Sequence, residues 1–356
     1  MPSRTMSPAA SAAAGAACIS SSAVLMRLAD TSASITALGR CGFALPVLGA
    51  LALAERRRGT PRLPSRSRWL ARLAGLFLAG DLILWSHAIA AIGAGLGTVV
   101  TNLQVLIISL LAWLILGERP RRSLVLASPV MLAGLALVGG LGGLGGPHAY
   151  GTDPSLGLVY GIGVAVMYAI YILILRQATS ARGTRPGPEA EGTRTPVAGV
   201  LFEATAGAAA GSAVGGFALH DFHLGPAWPA LGWLVLLALT SQVLGWLLIT
   251  MSMPRLPAGM IGVLLLVQPA GSVALSYVIL GERPSALQLL GVALVLAGLL
   301  VAVSGRTAQG PAAPAAPAGA ARAAAPDGRA GYRRRSTRIM RHASAASTGK
   351  SASKSP

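Results

Sequence analysis

Uninterrupted apolar runs of about 20 residues recur through this chain of 356 residues, and that recurrence most limits what it can fold into. A helix of that length spans ~30 Å of hydrocarbon. Ten such runs can be read, roughly 9–27, 33–54, 69–90, 94–116, 122–143, 156–176, 196–218, 228–251, 256–280 and 285–304. A soluble core has no room for so many segments that are apolar on every face. Charged residues agree with this: they make up 11% of the chain, against about 25% in soluble domains. The mean hydropathy is +0.64. The expectation is an all-α integral membrane protein that passes the bilayer many times.

The first run is the weakest, because "AASAAAGAACISSSAVLM" holds few bulky apolar side chains. A cleaved signal peptide is its competing reading. Against that, it has no compact Leu-rich stretch, and a second span follows at once. Cys18 and Cys41 fall in apolar stretches and read as small buried hydrophobes. Their number and placement suggest neither a disulfide framework nor a zinc site.

The net charge of +18 would suit nucleic acid, but its distribution points elsewhere. If alternate loops share a side, all but three of the 29 Lys and Arg residues fall at one face or in the tail. The exceptions are Arg27, Arg40 and Arg283. The loops "PHAYGTDPSLG" and "HDFHLGPAWP" hold no Lys or Arg. Such an excess marks the cytoplasmic face. Both termini are therefore expected inside the cell, with an even number of spans between them, and no nucleic-acid partner. "HDFH" reads as a solvated outer loop rather than a metal site. Residues 1–8 form a short cytoplasmic N-terminus, and 305–356 a Pro/Ala-rich, basic, disordered cytoplasmic tail able to touch anionic lipid.

The sequence "ILGERP" occurs twice, at 115–120 and 279–284. At a constant offset of 164 residues, Gln104 falls on Gln268, Leu111 on Leu275, and "LAGL" at 132–135 on "LAGL" at 296–299. A repeat on this scale is a duplicated structural unit. The units are 9–145 and 156–304, joined by an outer loop at 146–155. Each holds five spans, an odd number, so the second enters the membrane upside down. Inverted repeats let a midplane pocket open to either side. Locally, Gly117 and Gly281 suit a left-handed helix end. Pro120 and Pro284 suit the first turn of the next helix. Glu118, Arg119, Glu282 and Arg283 are expected between them at the water interface.

At these residues the chain resembles the EamA-type branch of the drug/metabolite transporter superfamily: two five-span units, each ending "LGER" before a glycine-containing last span, with Gln268-Pro269 in the ninth. The resemblance covers about 10–304. It implies ten transmembrane helices in two inverted five-helix repeats, and a transporter of small metabolites or drugs, often outward. One departure is Val105 where the second unit has Pro269, which puts a symmetric proline hinge in doubt.

Ionisable residues inside a membrane default to functional hypotheses. Of 11 acids only Asp81 and Glu203 lie well within spans, and of the arginines only Arg40. Asp81 and Trp85 share a helix face. An aspartate beside an aromatic suits a cation or a proton relay; the alternative is a structural ion pair with Arg40. Glu203 is a coupling candidate or a carboxylate reaching the interface, and Gly207, Gly211 and Gly215 beside it read as a close-packing face. Gln104 and Gln268 are the symmetric midplane amides, with Asn102 nearby; they line a pocket or hydrogen-bond between helices. Tyr168, Tyr171, Gln242 and Trp246 complete the candidate set. No residues suggest catalysis, a metal or a cofactor, and no phosphate-binding loop accompanies the glycine runs. Coupling would come from protons, another ion or the solute gradient. The expected setting is a bacterial cytoplasmic membrane, as monomer or homodimer. The rival readings are an uptake permease of the same fold, a structural membrane subunit without transport, and, more distantly, an intramembrane enzyme.

Overall fold

The computed structural model describes residues 6–141, 150–180, 196–221, 227–252, 256 and 258–304. The tail at 305–356, most of the two uncharged loops and the basic stretch at 181–195 lie outside the described residues. So does His223 of "HDFH". Every element among the described residues is helical.

In chain order the helices are α1 (Pro8–Ser20), α2 (Ser22–Ala29), α3 (Ala33–Arg57), α4 (Ser65–Ile92), α5 (Ala94–Thr101), α6 (Gln104–Leu116) and α7 (Arg122–Val138). The second half holds α8 (Pro154–Ser180), α9 (Val197–Ala218), α10 (Ala230–Leu237), α11 (Trp246–Ser252), α12 (Ala258–Leu265), α13 (Val267–Leu275) and α14 (Ala286–Ser304). Two π-helical turns, Ala238–Gly245 and Ser276–Leu280, join α10 to α11 and extend α13. Among the described residues nine helical segments are long and apolar enough to cross a membrane. The segment Arg122–Val138 is apolar but shorter, at 17 residues.

The packing is symmetric under exchange of the two halves. α4 lies against α8, and reciprocally α10 and α11 lie against α2 and α1. α6 lies against α8, as α12 and α13 lie against α1. α3 meets α9 and α7 meets α14, each the other's counterpart at the offset of 164. The symmetry reaches single residues. Gly134 of α7 abuts the backbone of Gly291, and the offset pair Gly298 abuts Ala127 and Met131. The first span thus packs inside the bundle, as the counterpart of α8.

Small residues bring α4 and α9 together, as close packing in lipid requires. A Cβ on Gly75 would lie 2.7 Å from the Ala208 nitrogen, and one on Gly207 would meet the Arg72 backbone. Gly211 and Gly215 continue this face against Leu76, Ala79 and Ile83.

Three spans are broken. The first jogs at Ser21. The fourth breaks at Asn102–Leu103 and the ninth at Leu266, positions related by the same offset. The break is therefore symmetric although only the ninth span has a proline. Different residues produce it. Pro269 has no N–H and its ring crowds the carbonyl four residues back, on Leu265, where α12 stops. In the fourth span the Asn102 amide donates to the carbonyls of Thr98 (2.9 Å) and Val99 (3.3 Å), competing with the helix ladder.

Both "LGERP" copies end a helix as the sequence suggests, but Pro120 and Pro284 lie two residues ahead of α7 and α14 and not in their first turns. Gly117 and Gly281 are left-handed, with φ of 69° and 67°. The two copies differ in where the glutamate after the glycine lies, and that difference organises the site.

Candidate functional site

The breaks in the fourth and ninth spans, with the faces of α3, α4, α8 and α11, enclose a cavity of about 590 Å³. That is within the usual size range of small-molecule sites. Arg40, Asp81, Trp85, Asn102, Gln104, Tyr168, Trp246 and Gln268 all line it. Eight of the polar and aromatic residues singled out in the sequence therefore converge. Gln104 and Gln268 hydrogen-bond to no other group among the described residues, and both line the cavity.

Tyr171, Gln242 and Glu203 do not line it. Tyr171 stands behind Tyr168, with ring centroids 5.6 Å apart. Gln242 is 4% exposed and holds Arg40: its Oε1 accepts from Arg40 Nε at 3.0 Å, and its Nε2 donates to Thr205 Oγ1 at 3.2 Å. The π-helical turn Ala238–Gly245 carries Gln242. Such a wide turn re-aims a side chain without ending the helix. Glu203 is buried, and accepts from Arg72 Nε at 2.6 Å. It is Arg72 that extends to the surface, not Glu203. His87 stacks on Tyr160, at 5.3 Å between ring centroids.

The structural alternative for Asp81, an ion pair with Arg40, is not formed. Both are buried and line the same cavity, yet no carboxylate oxygen of Asp81 comes within ion-pair distance of Arg40. Arg40 instead lies over the Trp85 ring at 5.7 Å, a cation–π contact. Its Nη1 and the Trp85 Nε1 are buried donors without a partner. Among the described residues no donor reaches the Asp81 carboxylate. Removing two charges from water costs several kcal/mol per ion unless something else solvates them. The cavity leaves room for water, an ion or a polar solute to do so.

The cavity extends to Glu118, Arg119, Pro120, Arg121 and Arg176, at the Arg-rich end of the bundle. Glu118 there makes a two-pronged pair with Arg176, at 2.8 and 3.0 Å. Those hydrogen bonds hold the Glu118 carboxyl below the usual carboxylate range.

The cavity does not reach the opposite end, where the second copy of the motif lies. Glu282 is not at the water interface, as the sequence suggested, but 1% exposed. Its carboxylate accepts from the backbone N–H of Ala94 (2.7 Å) and Gly95 (3.0 Å), the first turn of α5. Those N–H groups have no partner within the helix, and the dipole there favours an anion. Gly93 precedes them at φ 94°, and a Cβ on it would lie 2.7 Å from the Tyr150 ring and 3.0 Å from the Glu282 carboxylate. Gln288, also fully buried, ties down the inter-unit loop: its Oε1 accepts from Tyr150 N at 2.7 Å, and its Nε2 donates to Val138 O at 3.2 Å. Asp153 N and Thr152 Oγ1 both donate to Ala91 O.

Two further carboxylates cap helices across the units. Glu55, at the end of α3, accepts from Ala198 N (3.0 Å) and Gly199 N (3.2 Å) in the first turn of α9. Asp221, after α9, accepts from Ser34 N at 3.1 Å in the first turn of α3. Asp221 of "HDFH" is thus a half-buried cap in the loop after α9. Sequence reasoning missed Glu55, Asp221, Glu282 and Gln288 in these roles. The available signal was an acid within a turn of one helix end, with "AG" opening the partner helix at 94–95 and 198–199.

A sequence profile of the EamA-like transporter family matches residues 6–140 and 155–304, the two symmetric halves. No curated protein matches the chain. A solved structure titled "Crystal structure of protein" aligns over 84% of this chain and 98% of its own, at 21% identity and a TM-score of 0.49.

Proposed function

The chain belongs to the EamA-like transporter family, within the drug/metabolite transporter superfamily, and from that premise we propose that it is a secondary transporter of small metabolites or drug-like solutes. It works as an exporter by alternating access, without ATP. Ten spans in two inverted five-helix repeats carry it, Arg122–Val138 being the short fifth span. Both termini lie in the cytoplasm of a bacterial cell membrane.

The observation that carries this reading is the cavity. Polar groups from both halves meet in one space that reaches the Arg-rich end: Gln104 and Gln268, with Asp81 and the Nη1 of Arg40, which has no partner among the described residues. A purely structural subunit would pair such groups with one another, because an unsatisfied polar group in hydrocarbon costs several kcal/mol. The exchange symmetry of the packing supports an inverted repeat, the architecture that exposes one site to either side. The excess of Arg at the cavity mouth supports a cytoplasmic opening.

The test is flux. The purified chain in liposomes is loaded with a panel of labelled metabolites and amphipathic cations, with and without a proton gradient and without nucleotide. Saturable, protein-dependent efflux of at least one class supports the reading. Reporter fusions after Ser304 test the topology; an extracytoplasmic signal there contradicts the inverted repeat.

A further inference from the structure

The two "LGERP" copies are equivalent in sequence and unequal in structure. Glu282 is buried and caps α5 at Ala94–Gly95. Under the offset of 164, Glu282 corresponds to Glu118, and Ala94–Gly95 to Ala258–Gly259, the first two residues of α12. The same two residues, Ala-Gly, open both helices. Glu118 is not buried as Glu282 is. It stands at the mouth of the cavity, about half exposed, bound to Arg176.

The caps between α3 and α9 provide the contrast. Glu55 on α9 and Asp221 on α3 are a reciprocal pair across the same two units, and both are made. The α3–α9 contact is therefore closed at both ends. The two glutamates of the repeated motif differ, and they differ where the cavity reaches one end of the bundle and not the other.

We propose that Glu118 and Glu282 are alternating latches, each capping the first turn of a broken-span helix only when its own side of the bundle is closed. This rests on the transport reading above. When the Arg-rich end closes, Glu118 leaves Arg176 and caps α12 at Ala258–Gly259, while Glu282 leaves α5 and the opposite end opens. One carboxylate caps one helix in either state, so the exchange keeps the two states close in free energy, which a ligand-driven switch requires. Arg176 holds Glu118 in the open position. An exposed ion pair contributes little, so Glu118 gives it up readily.

A glutamine cannot accept from two N–H groups with two oxygens, so Glu→Gln weakens whichever latch it replaces. The test uses the full chain in sealed liposomes of known orientation. Cys18→Ser and Cys41→Ala remove the native thiols, and Ser109→Cys on the cavity wall reports access. A membrane-impermeant maleimide is added from each side in turn, with no solute present. Glu282→Gln should raise labelling from the outer side and lower it from the Arg-rich side, changing the ratio by about threefold or more. Glu118→Gln should change the ratio in the opposite direction. Glu282→Asp and Glu118→Asp, which keep the charge, guard against loss of folding and should give smaller shifts of the same sign. Shifts of the same sign for both glutamine variants, or none in folded protein, would overturn the proposal. Opposite shifts in a protein that moves no solute would leave the latches standing and remove the transport reading instead.

Discussion

Arg40 donates from Nε to Gln242 Oε1 at 3.0 Å, in a part of the bundle where neither side chain can reach bulk water. Gln242 thereby fixes the one buried cation of the cavity from behind, and Trp85 covers its face. Gln242→Leu should leave a buried guanidinium N–H unsatisfied, at a cost of about 1–3 kcal/mol. Transport per folded molecule should fall, and Thr205 should lose its partner. Monodisperse yield and flux measured together check this; unchanged flux would mean that Arg40 needs no positioning.

Asp81→Asn and Glu203→Gln should separate. Asp81 faces the cavity with no donor from the described residues, whereas Glu203 is held by Arg72 away from it. A charge-assisted contact to solute or ion is worth about 1.5–3 kcal/mol, so Asp81→Asn should lower flux by about tenfold or more at equal abundance. Glu203→Gln should act mainly on yield. Equal flux defects in the two variants would contradict the assignment.

Gly75→Val and Gly207→Val should both prevent the α4–α9 contact from closing. The new atoms would meet backbone, not a movable side chain. Overpacking of that kind costs about 1–3 kcal/mol or more. Folded membrane abundance should drop for both, while Gly42→Val, whose Cβ would meet nothing within 4 Å, should be far milder.

Gly93→Ala should cost more than Gly117→Ala. Both have positive φ, for which a non-glycine residue costs roughly 1–2 kcal/mol. Around Gly117 a Cβ meets nothing, whereas at Gly93 it meets Tyr150 and the Glu282 carboxylate. Thermal unfolding of the purified variants measures the difference.

The spans were legible because bilayer thickness sets their length whatever they pack against. The repeat was legible because duplication left "ILGERP" and the paired glutamines in register. The glycines at 207, 211 and 215 announced close packing, since no other use suits them in lipid. Three features were hidden. Whether Asp81 pairs with Arg40 depends on where α3 and α4 cross, which periodicity along one helix does not fix. Glu282 looked like its twin Glu118, because the two share "LGERP" and differ only in what the fold places beside them. Glu55 and Asp221 lie next to helix ends, where an acid looks like an ordinary surface charge until the partner helix is seen beside it. The symmetric break at Asn102 and Leu266 was obscured for another reason: proline marks only the ninth span, and an asparagine does the same work in the fourth.

Solute flux through the cavity tests the central claim most directly. The chain and its Ser109→Trp variant, which fills the space between Gln104 and the mouth, are reconstituted at equal density without nucleotide and assayed against the same metabolite panel. The account predicts saturable flux of at least one solute class by the parent chain, and near-complete loss in the folded Ser109→Trp variant. Undiminished flux in that variant, or no flux from well-folded parent protein under any gradient, would contradict it.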